Sequence, residues 1–337
     1  MVKNAKSVVP TIQPLSKSGL NRPFWSVMIP TYNPSPDYLE KTLRSVLSQA
    51  PSPELMQIEV VDDCSPRVEV AELVRQIAGD RISVHRSPVN KGLAGAWNTC
   101  IERSRGLWVH TLHQDDIVSP GFYEALHKAA DADHNVGAAF TRFAFIDENG
   151  QRINLSDNHR MGPGVLESWL EKLGVEQLIQ TPSIVVKRSV YETLGGFRSD
   201  LCFTLDWEMW LRIATRFSFW FEPEILAHYR VHGASETSKL MLTAADMRDT
   251  RLMLEMTCSY QKPNVAAKVY GRACLHYATL AIHNARRLLV LGHSASACKQ
   301  LVEALRLSKS PQTCWQGISF AFLWGRLAGA RLKRRLY

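Results

Sequence analysis

The chain has 337 residues, 45% apolar and 21% charged, a composition that can bury a large core and excludes a disordered protein. Its 7 cysteines stand singly with no C-x-x-C pair, so neither a disulfide framework nor a cysteine zinc site is expected, and no apolar run approaches the roughly 20 residues that span a bilayer. The net charge of +8 sits at the ends, where residues 1–36 and 304–337 carry 11 basic residues and no acid, whereas a nucleic-acid binder carries its basic footprint on the folded domain.

Residues 1–23 read as a basic, flexible arm without the unbroken apolar stretch of a secretory leader, which places the chain in the cytoplasm by expectation. From Trp25, short β-rich runs alternate with helical stretches. The strand WSVMI leads to a helix near Asp37–Ser48, with Leu39, Leu43, Val46 and Leu47 at helical spacing. QIEVV ends at Asp62-Asp63 and precedes a helix over 68–78; ISVHR then leads through SPVNKG to a helix from Leu93 to about Ser104. LWVHTL runs into HQDD, and Ser119-Pro120 offers an N-cap and first-turn pair for the next helix. This βαβα alternation predicts an α/β domain over 24–236, its mainly parallel sheet flanked by helices. Ligands bind such sheets beyond the carboxyl ends of the strands, where PTYN, DDCS and HQDD all fall. A strand SIVVK, the turn LGGF, the amphipathic helix DWEMWLRIATRF and the strand FWFEPEILAHYRV follow. Residues 237–337 read as an all-helical extension, with apolar positions recurring through 240–260, 264–291, 295–307 and 313–328 as in helical hairpins. HSASACKQLVEALRLSKSP resembles half a tetratricopeptide unit, short of the three repeats a solenoid needs.

Two acidic doublets, Asp62-Asp63 and Asp115-Asp116, close apolar strands, where a carboxylate is costly without a partner. Such groups can bind base N–H and ribose hydroxyls, or hold a diphosphate together with Mg²⁺ or Mn²⁺. The competing reading makes each an N-cap of the following helix; two doublets at equivalent strand ends favour the chemical reading. Asp206 opens a helix, where it can cap as well as act as a base. Glu208 and Arg212, four apart, suit a surface ion pair. His110 and His113, three apart on a strand, point to opposite faces and cannot both meet one ion. His228, Arg230 and His232 share a strand face, as a polar edge or with Arg230 and His232 near a diphosphate and His232 as an extra metal ligand. Trp97 and Trp207 are core aromatics or platforms for a sugar ring.

Seven segments in register over about residues 25–235 resemble glycosyltransferase family 2, the inverting enzymes with the GT-A fold. They are Pro30-Thr31-Tyr32-Asn33 with its helix ending SVLSQ, VVDDCS, Asn90-Lys91-Gly92 with LAGAWN, LHQDD, LGGF, DWEMWLR and HYRVH. The resemblance implies that Pro30, Thr31, Tyr32 and Asn33 line the nucleotide pocket, that Asp63 accepts a hydrogen bond from the base, and that Asn90, Lys91 and Gly92 shape the facing loop. It further implies that Asp115 meets the ribose, that Asp116 holds the divalent cation, and that Asp206 is the catalytic base, with Glu208 as a fallback. Trp207, Glu208 and Arg230 fall to the diphosphate and acceptor region. The family commonly has an acid where this chain has His113, which counts against metal binding there, and a Glu-Asp pair where it has Leu205-Asp206.

The implied reaction moves a sugar from a UDP-, GDP- or dTDP-linked donor to a hydroxyl of a glycan or lipid-linked acceptor, in envelope polysaccharide or lipopolysaccharide assembly. A nucleotidyltransferase would also use carboxylates and Mg²⁺, but it brings a glycine-rich triphosphate loop that PTYN is not. A nucleotide-sugar-binding protein without turnover would not need Asp116 and Asp206. The tail from Trp315 to Tyr337, ending in Arg326, Arg331, Lys333, Arg334 and Arg335, reads as an interfacial helix on an anionic membrane, or as a helix packed on the preceding hairpin. The first reading makes the protein peripheral on the cytoplasmic face.

Overall fold

A computed structural model describes residues 9–15, 22–233 and 236–336, with side chains to residue 325. The strands are β1 Trp25–Thr31, β2 Met56–Asp62, β3 Ser83–Arg86, β4 Trp108–Thr111, β5 Ile117–Val118, β6 Val136–Ile146, β7 Arg152–Leu155, β8 Gly164–Val165, β9 Ile184–Lys187 and β10 Ser218–Arg230. The helices are α1 Pro36–Leu47, α2 Val70–Ala78, α3 Gly92–Arg103, α4 Phe122–His127, α5 Ala129–Ala132, α6 Trp169–Leu173, α7 Arg188–Leu194, α8 Leu205–Ala214, α9 Glu236–Thr243, α10 Ala245–Thr257, α11 Pro263–Val290, α12 Ser294–Leu307 and α13 Pro311–Leu336. They form two compact units. The first draws its described residues from 9–169, Gln177–Asp200 and Leu205–Val231; the second from Leu170–Glu176, Leu201–Thr204 and 232–336.

The first unit is an α/β fold around one mixed sheet, ordered β3-β2-β1-β4-β9-β6-β10-β5, with β7 on β6 and β8 on β10. Strands β1 to β4 form its parallel block, and β9 enters antiparallel between β4 and β6. All seven residues of β1 and of β2 are buried, as an apolar strand covered on both faces requires. Leu39, Leu43 and Val46 of α1 pack on Val27, Ile29, Ile58 and Val60 in the main core. Helix α4 opens later than Ser119-Pro120 suggests. Gly121, at φ 88°, turns the chain into it from a left-handed conformation that glycine adopts at no steric cost, and the Ser119 hydroxyl bonds His228 Nε2 at 2.8 Å instead of capping.

Part of the expected flexible arm is packed. Ile12 is buried, the Pro10 carbonyl accepts the Gly196 amide at 2.7 Å, and the buried Arg188 guanidinium donates to the Gln13 carbonyl. Arg22 donates to the carbonyls of Arg105 at 2.9 Å and Gly106 at 2.7 Å, and residues 1–8 and 16–21 of the arm lie outside the described residues. The LGGF turn is fixed from its other side by Asn98 of α3, whose amide donates to the Phe197 carbonyl at 2.9 Å and accepts the Phe197 N–H at 2.7 Å. A Cβ on Gly196 would collide with that Asn98 oxygen, so the turn needs glycine.

In the second unit, Ala285, Leu288 and Leu289 of α11 meet Ala297 of α12 and Phe320 of α13. Gln300 ties the buried Asp246 carboxylate to the Met241 carbonyl, at 2.9 Å each. Helices of 28, 14 and 26 residues do not repeat a tetratricopeptide unit. Among the described residues, no helix is long and apolar enough to cross a membrane.

Asn98→Ala leaves a buried N–H and a buried C=O of Phe197 unpaired, so it is expected to lower stability by about 1–3 kcal/mol, read from urea unfolding midpoints. An unchanged midpoint would show that the turn is held by its glycines alone.

Candidate active site

Strands β2, β1 and β4 lie side by side and end together, so the loops that follow them are neighbours. Those loops are bonded to one another. Gln114 accepts the Tyr32 N–H at 2.9 Å, the Asn33 N–H reaches the Ser65 hydroxyl at 2.8 Å, and the Arg67 N–H reaches the Asn33 side-chain oxygen at 3.1 Å. Asn33 and Cys64 are held at φ 45° and 63°, conformations that cost an ordinary residue about 1–3 kcal/mol and that the cross-loop bonds sustain. Asp63 is buried and accepts the Lys91 N–H on both oxygens at 2.9 and 3.0 Å and the Gly92 N–H at 2.9 Å, so it clasps the NKG loop. The Asn90 side-chain oxygen accepts the same Gly92 N–H at 3.0 Å. Of Pro30, Thr31 and Tyr32, the first two are buried inside β1 and only Tyr32 presents an exposed side chain.

The turn after β4 brings His113, Asp115 and Asp116 together, one ligand-type atom of each lying within 4.8 Å of the others. Asp116 is enclosed: Oδ1 accepts the Arg230 N–H at 2.8 Å, and its carbonyl accepts the Thr42 hydroxyl at 2.7 Å. Its Oδ2 is buried without a hydrogen-bond partner, 3.5 Å from His113 Nδ1. Burial raises the Asp116 carboxyl above the usual range, and Asp115 adds to this, while His113 and the Arg230 amide work against it. Burial also works to lower His113, but Asp116, Asp115 and Asp206 outweigh it and leave the imidazole raised. Asp206 therefore acts on the same ring.

Asp206 sits in the first turn of α8, with Oδ1 accepting the Trp207 N–H at 2.7 Å and Oδ2 accepting the Gln177 amide at 2.9 Å. Burial pushes its carboxyl up to about 6, opposed by the Trp207 N–H, His113 and Gln177. Arg230 is the bracket of the site. Its guanidinium donates to the carbonyls of Asp115 at 2.9 Å, Asp147 at 3.0 Å and Glu148 at 3.2 Å, and it lies 4.6 Å from the centre of the Tyr38 ring.

Several sequence expectations change here. Glu208 is fully buried and joins Arg212 through two bonds of 3.0 and 2.9 Å, while Arg212 also caps the Leu194 and Gly196 carbonyls. The pair is a core brace and not a surface one, and Glu208 presents no carboxylate to an acceptor. Trp207 and Trp97 are buried too, Trp97 stacking 5.0 Å from His113 and edge-on to Phe197, so neither is a platform for a sugar. Arg230 donates through Nε and Nη1 to backbone carbonyls that fix the Asp115-Asp116 turn, and its buried Nη2 has no hydrogen-bond partner. His110 faces away, bonded to the Tyr123 hydroxyl and the Pro182 carbonyl at 3.0 Å each, and burial lowers it to about 3. His232 opens the second unit, whereas the His113 group lies wholly in the first. Gln114, Gln177 and Thr42 went unnoticed in sequence because an amide or hydroxyl in a loop or helix carries no pattern until the fold supplies its partner.

The model of glycosyl transferase family 2 matches residues 26–195, half of the chain. The chain belongs to that family. It is 26% identical over 215 residues to an uncharacterized glycosyltransferase of Methanocaldococcus jannaschii, covering 63% of this chain and 72% of that one. It is 29% identical over 250 residues to an uncharacterized protein of Mycobacterium tuberculosis, covering 69% and 75%. Among solved structures, S. aureus TarS 1–349 in complex with UDP-GlcNAc is similar with a TM-score of 0.52 at 14% identity, over 84% of this chain and 91% of that one. GalNAc-T7 with UDP, GalNAc and Mn²⁺ is similar with a TM-score of 0.50 at 16% identity, over 66% and 47%. The fold is GT-A-like, and the protein is a glycosyltransferase using a nucleotide-sugar donor. The nucleotidyltransferase and turnover-free readings fall with that membership.

A carboxyl raised in the folded state gives stability that is present below its unfolded value and lost as pH rises through the folded one. Asp116 and Asp206 both lie in this direction. In EDTA the glycosyltransferase is expected to lose unfolding free energy as pH rises from about 4 through about 6, and Asp116→Asn to flatten that loss, Asp206 supplying the remainder. Urea titrations at each pH read the slope; equal slopes would mean that the folded environment leaves Asp116 unshifted.

Proposed function

We propose that this enzyme is an inverting, metal-assisted glycosyltransferase with Asp206 as its base and the His113–Asp115–Asp116 turn as its cation and diphosphate site. The observation that carries the reading is the turn itself, where one ligand-type atom each of His113, Asp115 and Asp116 lie within 4.8 Å of one another and a buried Asp116 oxygen has no hydrogen-bond partner. An acceptor hydroxyl attacks the anomeric carbon of the donor, its proton passes to Asp206, and the bond to the diphosphate oxygen breaks with its electron pair leaving on the diphosphate. Attack opposite the leaving group inverts the centre. A carboxyl pushed up to about 6 is a stronger base than an ordinary aspartate, and the Gln177 amide and the Trp207 N–H aim its oxygens.

The turn fits a divalent cation: a buried carboxylate oxygen of Asp116 and the buried Nε2 of His113 have no hydrogen-bond partner, and Asp115 stands beside them. A bound Mn²⁺ or Mg²⁺ would neutralise charge developing on the departing diphosphate. Imidazole is a better ligand for Mn²⁺ than for Mg²⁺, so His113 biases the site toward Mn²⁺. Exposed Tyr32 and the Asp63-clasped NKG loop would face the nucleotide, with Asp115 at the ribose. UDP is the base and diphosphate to test first, because TarS and GalNAc-T7 are each described with it. The acceptor is a hydroxyl of a glycan or lipid-linked sugar, in the setting of envelope polysaccharide or lipopolysaccharide assembly.

Asp206→Asn keeps shape and charge-neutral hydrogen bonding, so turnover is expected to fall about 10²–10⁴-fold with donor affinity unchanged. Wild-type kcat/KM should decline below about pH 6, where Asp206 takes up its proton. Near-normal turnover in the variant would remove the base assignment. His113→Asp restores an all-oxygen ligand set and should move the preference toward Mg²⁺, seen as a larger Mg²⁺-induced rise in Tm relative to Mn²⁺ in donor-free protein. An unaltered Mn²⁺:Mg²⁺ ratio would take His113 out of the site.

A further inference from the structure

Helix α13 packs by one face and leaves the other bare. Phe320 is 1% exposed and enters the cluster with Leu288, Leu289 and Ala297, while Gly317 lies against Leu301 and Leu305 of α12. With 3.6 residues per turn, the opposite face carries Trp315, Ile318 and Phe322, which are 70%, 51% and 71% exposed. Single exposed apolar residues are ordinary; three at i, i+3 and i+7 on one stripe mark an interaction surface. Charge indicates what covers it. The sequence of α13 holds Arg326, Arg331, Lys333, Arg334 and Arg335 and no acid, so the partner must be both anionic and apolar. At 26 residues α13 has the length of a span but not the apolarity, since no described helix is long and apolar enough to cross a membrane. A one-sided apolar stripe with a basic end lies in the plane of an interface.

We propose that α13 docks this glycosyltransferase on an anionic lipid bilayer, with Trp315, Ile318 and Phe322 entering the boundary between headgroups and acyl chains and the basic residues meeting lipid phosphates. Aromatic side chains suit that depth. The inference is independent of the donor and mechanism proposed above.

The full chain is to be sedimented with vesicles of phosphatidylcholine alone or with added phosphatidylglycerol, across a NaCl series. Partitioning onto the anionic vesicles is expected, weakening as salt rises and absent on neutral ones. The pair Trp315→Ser and Phe322→Ser, and separately the set Arg331→Gln, Lys333→Gln, Arg334→Gln and Arg335→Gln, should each weaken it roughly tenfold or more. The serine variant changes solvent-facing positions, so an unaltered urea midpoint distinguishes lost docking from lost fold. Equal partitioning of the wild type and the serine variant would reduce the effect to adsorption by net charge and overturn the proposal. So would no partitioning at all, or self-association in sedimentation equilibrium that the serine variant abolishes, since a second copy would then cover the stripe.

Discussion

Asp116 is a carboxylate shut away from water in the turn after β4, and the architecture of the site follows from keeping it there. A buried charge is tolerated only when its oxygens are matched by donors or by a cation. The fold meets half of that demand. The Arg230 amide satisfies one oxygen, the Thr42 hydroxyl holds the carbonyl of the same residue, and the second oxygen is left toward His113. Arg230 does most of the holding. It ends β10, yet it reaches the turn after β4 through the Asp115 carbonyl and the turn after β6 through the carbonyls of Asp147 and Glu148. One side chain thus locks three chain segments into the geometry that leaves Asp116 Oδ2 unsatisfied.

The same economy governs the loops after β1 and β2. Asp63 does not stand open; its oxygens are wrapped by the amides of Lys91 and Gly92, and Gly92 at φ 72° lets that amide turn inward. Gln114 fastens the Tyr32 backbone and leaves the ring exposed. Side chain-to-backbone bonds of this kind position a binding surface before a ligand arrives, so less ordering remains to be done on binding. In the proposed reaction, the donor would meet loops already set by one another.

Much of the first unit was legible because β1, β2 and β4 are apolar runs, the last two leading into acidic doublets, and because α1 and α8 repeat their apolar residues at helical spacing. The clustering of the acidic turn with Asp206 could be expected from a family resemblance, but the roles of individual neighbours could not. His113 looked like a lost ligand, since sequence shows only that an acid is missing; the fold shows an imidazole aimed at Asp116. Glu208 and Arg212 looked like a surface pair because an i, i+4 spacing says nothing about which face is covered. Trp97 and Trp207 failed as sugar platforms for the same reason. The packing of Ile12 and Pro10 was hidden because a polar, proline-interrupted stretch carries no period from which docking could be read.

In the proposed mechanism, one fold gives Asp116 and Asp206 different work. Both are buried and both are raised, so burial alone does not divide them. What divides them is the partner of each second oxygen. Asp206 Oδ2 meets the neutral amide of Gln177, which orients the carboxylate without cancelling its charge and leaves it free to take up a proton. Asp116 Oδ2 lies 3.5 Å from an imidazole nitrogen and has no hydrogen-bond partner, an arrangement that the proposed cation would complete. A positively charged occupant at the turn would also pull His113 and Asp116 down toward their metal-binding forms while leaving the Gln177 bond to Asp206 untouched. Asp116 would then stay ionised when the site is filled, and the Gln177 amide would go on orienting Asp206.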